Sequence, residues 1–352
     1  MNYDAPSNYQ AADEAPYDGP PRVGPRTMTE PTLHHVTCPG AARPLPGNQP
    51  EHRLPNTHRM AYWQWGDAAA AQVVVCVHGL SRQGRDFDVL ARALVAAAGG
   101  ALRVVCPDVV GRGRSDWLAD PMGYQVPTYA ADMVGLLAQL NAQAPIEALD
   151  WVGTSMGGLI GLVVCGQPGL PLPRPVRRLV LNDVGPAIQW QALQRIGTYL
   201  GHTGRFDSVQ QAADAMWAIS TSFGPHTPAQ WLALSEAMVR PLPEAQGGGV
   251  TLHYDPAIAV LFRSLTAEGA AQGEATLWQL YDQIGARTLL TRGTVSDLLS
   301  PATAEAMTQR GPKARLVEFA GVGHAPTFVA DDQVAVVSQF LLAPEPEPGG
   351  HG

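Results

Sequence analysis

The stretch Ala148-Leu149-Asp150-Trp151-Val152-Gly153-Thr154-Ser155-Met156-Gly157-Gly158-Leu159-Ile160-Gly161-Leu162-Val163-Val164 decides how this chain is read. Its first five residues suit a buried strand, and the apolar run after Gly157 suits a buried helix. Between them stands G-x-S-x-G, a strand-to-helix turn so sharp that side chains beside the serine would meet neighbouring backbone. Such a turn lifts the Ser155 hydroxyl to the end of a strand with a helix starting beneath it, which is where a nucleophile is useful. A glycine-rich turn with an incidental serine has the same five letters, so the partners of Ser155 must be sought elsewhere in the chain.

Upstream, Met60–Gly66 alternates like an early antiparallel strand. Val73-Val74-Val75-Cys76-Val77 is continuously apolar and β-branched, as a strand buried on both faces should be. It runs into His78-Gly79-Leu80. A helical spacing from Asp86 to Ala98 stops at Gly99-Gly100, and Leu102–Cys106 is the next strand. Pro107–Asp116 is a glycine-containing loop, and a helix follows Pro127-Thr128. Val176–Asn182 reads as a strand ending in Asp183-Val184-Gly185-Pro186. Strands alternating with helices predict an α/β fold with a mostly parallel sheet flanked by helices. The alternation lapses between Pro186 and Ile284, where helices are expected over Trp190–Leu200, Ser208–Ile219, Pro228–Val239 and Ala275–Ile284. It resumes with Arg287–Thr291, a helix from Pro301, the strand Arg315–Phe319 and a last helix from Asp332 to Leu342.

The expected organisation is a Pro-rich tail over 1–55, a core over 56–185 and 286–343, a helical cap over 186–285 inserted after the sixth strand, and a short tail over 344–352. Residues 1–55 hold 11 of the 31 prolines and little apolar periodicity. His34 and His35 in that tail have no evident metal partners and are read as idle. Trp190, Trp217, Phe223, Trp231, Met238 and Phe262 could line a pocket under the cap or pack the cap's own core.

Of the 352 residues, 45% are hydrophobic, ample for a large core. The net charge of −8 gives no attraction to nucleic acid or anionic lipid. The four cysteines, Cys38, Cys76, Cys106 and Cys165, show no C-x-x-C spacing. No zinc site and no disulfide scaffold is expected. No apolar run is long enough to span a membrane. The N-terminus has no basic-then-apolar leader, so a cytoplasmic location is expected.

Chemistry in α/β sheets gathers at the C-terminal ends of the strands. The loops there carry Ser155, then Ser296-Asp297 after the strand ending near Thr291, then Gly323-His324 after Phe319. With His78-Gly79 and the Asp108/Gly111/Gly113/Ser115 loop, this order over residues 59–342 resembles the α/β-hydrolase fold, in its capped, esterase-like form. A serine hydroxyl needs a base, and imidazole is the side chain that can take a proton and return it near neutral pH. The resemblance therefore implies Ser155 as nucleophile, His324 as base and Asp297 as the acid that orients it. Asp183, also directly after a strand, competes for the acid's place; its other reading is an anchor for the entry to the cap.

The resemblance also implies an oxyanion hole from the backbone N–H groups of Leu80 and Met156, with His78 supporting the oxyanion loop. Arg82 could reach over the pocket to a substrate carboxylate or carbonyl, or pair on the surface with Asp86 or Asp88. With Trp190 and Trp217 it completes the expected substrate-binding set. The implied activity is hydrolysis of a small or medium apolar ester through an acyl-enzyme, with no cofactor and no metal, on a small-molecule substrate, with neither nucleic acid nor membrane as partner and the oligomeric state left open. Thioester or amide hydrolysis, C–C bond hydrolysis and cofactor-free perhydrolysis use the same residues, and a ligand-binding receptor without catalysis shares the fold. A serine at the turn argues against the dehalogenase and epoxide hydrolase branches, which use aspartate there.

Overall fold

The computed structural model describes residues 30–43 and 56–344. Eight strands form one sheet: β1 Thr32–Pro39, β2 Thr57–Gly66, β3 Gln72–Val77, β4 Arg103–Pro107, β5 Ala148–Thr154, β6 Val176–Asn182, β7 Arg287–Gly293 and β8 Arg315–Phe319. Their spatial order is β1-β2-β4-β3-β5-β6-β7-β8. β2 pairs antiparallel with both β1 and β4, and the remaining neighbours are parallel.

The strand β3 shows why its apolar run is continuous. Val73, Val75 and Val77 point into one core and Val74 and Cys76 into the other, all fully buried. On the first face lie α2 Val126–Gln143, α3 Met156–Gly166 and the later α8 Ala267–Asp282 and α9 Pro301–Gln309, through Leu136, Leu140, Ile160, Tyr281 and Met307. On the second lie α1 Asp88–Ala97 and α10 Asp331–Leu342, through Leu90, Leu94, Phe340 and Leu341. Buried Arg178 on β6 donates to the Leu341 carbonyl at 2.7 Å and ties α10 to the sheet.

Three expectations need correction. Thr32–Pro39, read as part of a tail, is strand β1, paired along its own full length with Thr57–Gln64 of β2. Its pattern was obscured because its outer face is exposed and only Val36 and Cys38 are buried. His34 lies there, stacked on Tyr62. The other tail residues, 1–29, 44–55 and 345–352, lie outside the described ones. Secondly, the insertion between β6 and β7 is not wholly helical. It holds α4 Trp190–Tyr199, α5 Val209–Ser220, α6 Pro228–Glu236 and the unpredicted α7 Ile258–Arg263, but also a hairpin pairing Val239–Pro241 with Val250–Leu252. Thirdly, α8 returns from the insertion to pack on α3 and so belongs with the core helices. The cap proper has its own small core around Ala213, Met216, Trp231, Leu234 and Met238.

Candidate active site

Ser155 joins β5 to α3 at φ 52° and ψ −116°. A non-glycine residue held there costs on the order of 1–3 kcal/mol, which the packed elements on either side must sustain. Gly157 shows how closely they pack: a Cβ on it would stand 1.9 Å from the Val77 carbonyl oxygen at the end of β3. The Ser155 hydroxyl donates to Nε2 of His324 at 2.9 Å. His324 follows β8, and its Nδ1–H donates to Oδ2 of Asp183 at 2.8 Å. These two neighbours assign the tautomer with the proton on Nδ1.

Asp183 is fully buried directly after β6. It is held by the Ser296 hydroxyl, which donates to Oδ2 at 2.6 Å, and by the Gly293 N–H, which donates to Oδ1 at 2.9 Å. Asp297, the acid expected from the sequence, is not at the histidine. It is about half exposed and takes a two-point hydrogen bond from Arg195 on α4, at 2.7 and 2.9 Å. The cause is the direction of two adjacent side chains in the loop after β7: Ser296 turns inward to Asp183, and Asp297 turns outward to the cap. Sheet order supplies the rest. β6 and β7 are neighbours in register at Asn182 and Thr291, so an acid at the end of β6 reaches the same place as one after β7.

Asn182 was missed entirely. Buried beside Asp183, its amide donates to Thr154 Oγ1 at 3.0 Å and to the Pro326 carbonyl at 2.8 Å, and it accepts from the Thr291 hydroxyl at 2.8 Å. One side chain thus fixes the strand ends before Ser155 and before Ser296 and the loop after His324. Its signal in the sequence was slight: an amide closing an apolar strand.

The N–H groups of Leu80 and Met156 donate to no protein acceptor among the described residues. His78, fully buried, braces the loop between them. Its Nδ1–H donates to the Gly79 carbonyl at 2.7 Å and its Nε2 accepts from the Val109 N–H at 2.9 Å. The acceptor role of Nε2 requires a neutral ring, and burial pushes its pKa down to about 3. Arg112, also fully buried, donates to the Leu80 carbonyl at 2.8 Å and to the Met156 sulfur at 3.4 Å, so one guanidinium grips both residues. It has no carboxylate partner among the described residues; the Val110 carbonyl and the Tyr129 hydroxyl take further donors. From the sequence, Arg112 has no assigned role: it stands in a glycine-containing loop with its partners elsewhere in the chain.

The sequence profile of the alpha/beta hydrolase family matches residues 74–337. The chain belongs to the α/β-hydrolase family. Over 284 residues it is 51% identical to a 3-hydroxybutyrate-oligomer hydrolase of Cupriavidus necator, which covers 81% of this chain and 93% of that protein. An alpha/beta hydrolase of Novosphingobium aromaticivorans of known structure is 29% identical and superposes with a TM-score of 0.70, over 89% of this chain and 99% of that one.

Two cavities of this α/β hydrolase meet at Ser155 and share Leu80 and Ile196. The first, about 300 Å³, is lined by His324, Arg195, Tyr199, His202 and Phe223 among others. The second, about 320 Å³, runs between Met156, Leu159, Phe262 and Leu277. Arg82 lines the first cavity but is committed to Asp86 by a two-point bond at 2.7 Å, the pairing weighed against a substrate role. Trp190 and Trp217 line neither cavity. Trp217 packs in the cap against Trp231, with ring centroids 4.9 Å apart, and Trp190 begins α4 half-buried. Of the six candidate lining residues, Phe223, Met238 and Phe262 face a cavity.

Among the described residues, one group has metal-ligand chemistry: buried Cys38, His58 and Asp132, between β1, β2 and α2. There Nε2 of His58 is hydrogen-bonded to Asp132 at 3.0 Å, and the Nδ1 side meets the Gly40 carbonyl. The trio lines neither cavity at Ser155. Among the described residues no helix is long and apolar enough to cross a membrane.

Proposed function

We propose that this chain is a serine hydrolase that cleaves ester bonds through an acyl-enzyme, and that its substrates are short oligomers of a hydroxy acid such as 3-hydroxybutyrate. The observation that carries the chemistry is the unbroken chain of hydrogen bonds from Ser155 through His324 to Asp183. As Ser155 Oγ attacks the ester carbon, His324 Nε2 takes its proton, and Asp183 stabilises the imidazolium that results. The N–H groups of Leu80 and Met156 supply the two donors for the developing oxyanion, each worth about 2.7–4 kcal/mol in the transition state. His324 then passes its proton to the leaving alcohol. Water, activated by the same imidazole, releases the acid and restores Ser155. The substrate class is supported by the similarity to the Cupriavidus necator protein across most of both chains.

The test has two layers. A fluorophosphonate probe should label the wild type and leave Ser155→Ala unlabelled, and purified enzyme should convert 3-hydroxybutyrate trimer to monomer by mass spectrometry. Labelling without trimer turnover would remove the substrate assignment alone. A wild type that resists the probe removes the serine mechanism as well.

A further inference from the structure

The two cavities differ in a way that assigns them. His324, which must hand its proton to the leaving oxygen, lines the first cavity and not the second. Met156, which carries one oxyanion donor, lines the second and not the first. Charge separates them too. Arg82, Arg195 and His202 line the first cavity, and no carboxylate does among the described residues; among the same residues, Glu274 is the only charged one lining the second.

We infer that the cavity shared by His324 and Arg195 is the leaving-group site and receives a hydroxy acid with a free carboxylate. The cavity between Met156 and Phe262 then takes the acyl part, and the enzyme shortens its oligomers from the carboxyl end. This rests on the serine-hydrolase reading above. In the first step the Ser155 Oγ–acyl bond forms and the ester C–O bond breaks. The serine proton reaches the leaving oxygen through His324, so one hydroxy acid departs with its carboxylate intact. Water then splits the acyl-enzyme, giving the shortened oligomer as an acid and free Ser155.

Arg195 is the cation available for that carboxylate. Arg82 and Arg195 each donate through Nε and Nη2 to one carboxylate, but the Arg82–Asp86 pair is only 14% and 18% exposed, whereas the Arg195–Asp297 pair is 39% and 47% exposed. Solvent screens an exposed pair of this kind, so a substrate carboxylate can displace Asp297 at little cost. A second carboxylate entering the acyl cavity would instead meet Glu274 and an apolar wall, where nothing offsets its desolvation.

The experiment compares 3-hydroxybutyrate trimer as the free acid with the same trimer capped as its primary amide, using full-length enzyme. The free acid should have the higher kcat/KM, by about tenfold, since a charge-assisted bond replaces a neutral one. Arg195→Gln should bring this ratio close to one, mainly through KM. Asp297→Asn, which removes the competitor, should raise the ratio about threefold. With the carboxyl-terminal unit isotopically labelled, the labelled monomer should be the first product. A wild-type ratio near one, a ratio unmoved by both variants, or unlabelled monomer as first product would each overturn the assignment. Turnover of p-nitrophenyl butyrate by the wild type keeps this failure apart from failure of the hydrolase reading, which that ester tests alone.

Discussion

Asp183 and Asp297 follow neighbouring strands of one sheet, yet they serve different partners. Asp183 is buried, receives three hydrogen bonds and holds His324. Asp297 stands half in solvent and holds an arginine of the cap. A carboxylate at a strand end is therefore not by itself an orienting acid. Burial and the number of donors converging on it decide the matter, because a buried carboxylate with preset donors cannot be replaced by water.

The sharpest way to break this contrast is to exchange each acid for its amide. Asp183→Asn should lower kcat on p-nitrophenyl butyrate by about 10³–10⁴-fold, since the amide favours the wrong tautomer of the imidazole. Asp297→Asn should change the same kcat less than about twofold. The opposite ranking would return the acid's role to Asp297.

Two histidines extend the comparison. His324 is partly exposed at the cavity, whereas His78 is sealed and neutral behind the Gly79-Leu80 loop. With its folded pKa near 3, below the ordinary 6.5 of an unfolded histidine, His78 binds a proton only in the unfolded chain between those values. Its contribution to stability is therefore present above pH 6.5 and is lost as pH falls towards 3. Between pH 7 and 4.5 this amounts to on the order of 2 kcal/mol. Urea unfolding at both pH values should show a smaller acid loss for His78→Gln than for wild type. Equal losses would mean that the buried ring does not drive the slope. Asp108 acts in the other direction over part of this range, because burial raises its pKa to about 6, so the variant difference is the informative quantity.

The smallest effect concerns Ser296. It donates to Asp183 and accepts the N–H groups of Leu298 and Leu299, at 3.3 and 3.2 Å. Removing one of three donors to Asp183 should cost about 1 kcal/mol, so Ser296→Ala should lower kcat about fivefold. Its KM should hold, because Ser296 lines neither cavity. A shift in KM alone would place Ser296 in binding rather than in support of Asp183.

Much of the fold was legible because it is written in local periodicity. β3 declares its double burial by an unbroken apolar run, and β5 with α3 declares the turn by its glycines. β1 was not legible: half of it faces solvent, and its place depends on pairing with β2. α8 was assigned to the wrong layer because nothing in its own residues says that it packs on α3. At the site, Ser155 and His324 were legible from position after a strand, while Asn182 and Arg112 act through partners distant in sequence.

By itself, then, the sequence determined the strand–helix alternation, the turn that bears Ser155 and the loop that bears His324, since each follows from short-range sterics and the solvent preference of successive side chains. Which acid meets His324 was decided by tertiary structure alone. Asp183 and Ser296 come together because β6 and β7 lie side by side, and Asp297 is drawn away because the cap brings Arg195 to it. The same holds for the two cavities at Ser155. Their opposite linings arise where the cap settles on the sheet, and no local pattern in the chain encodes that contact.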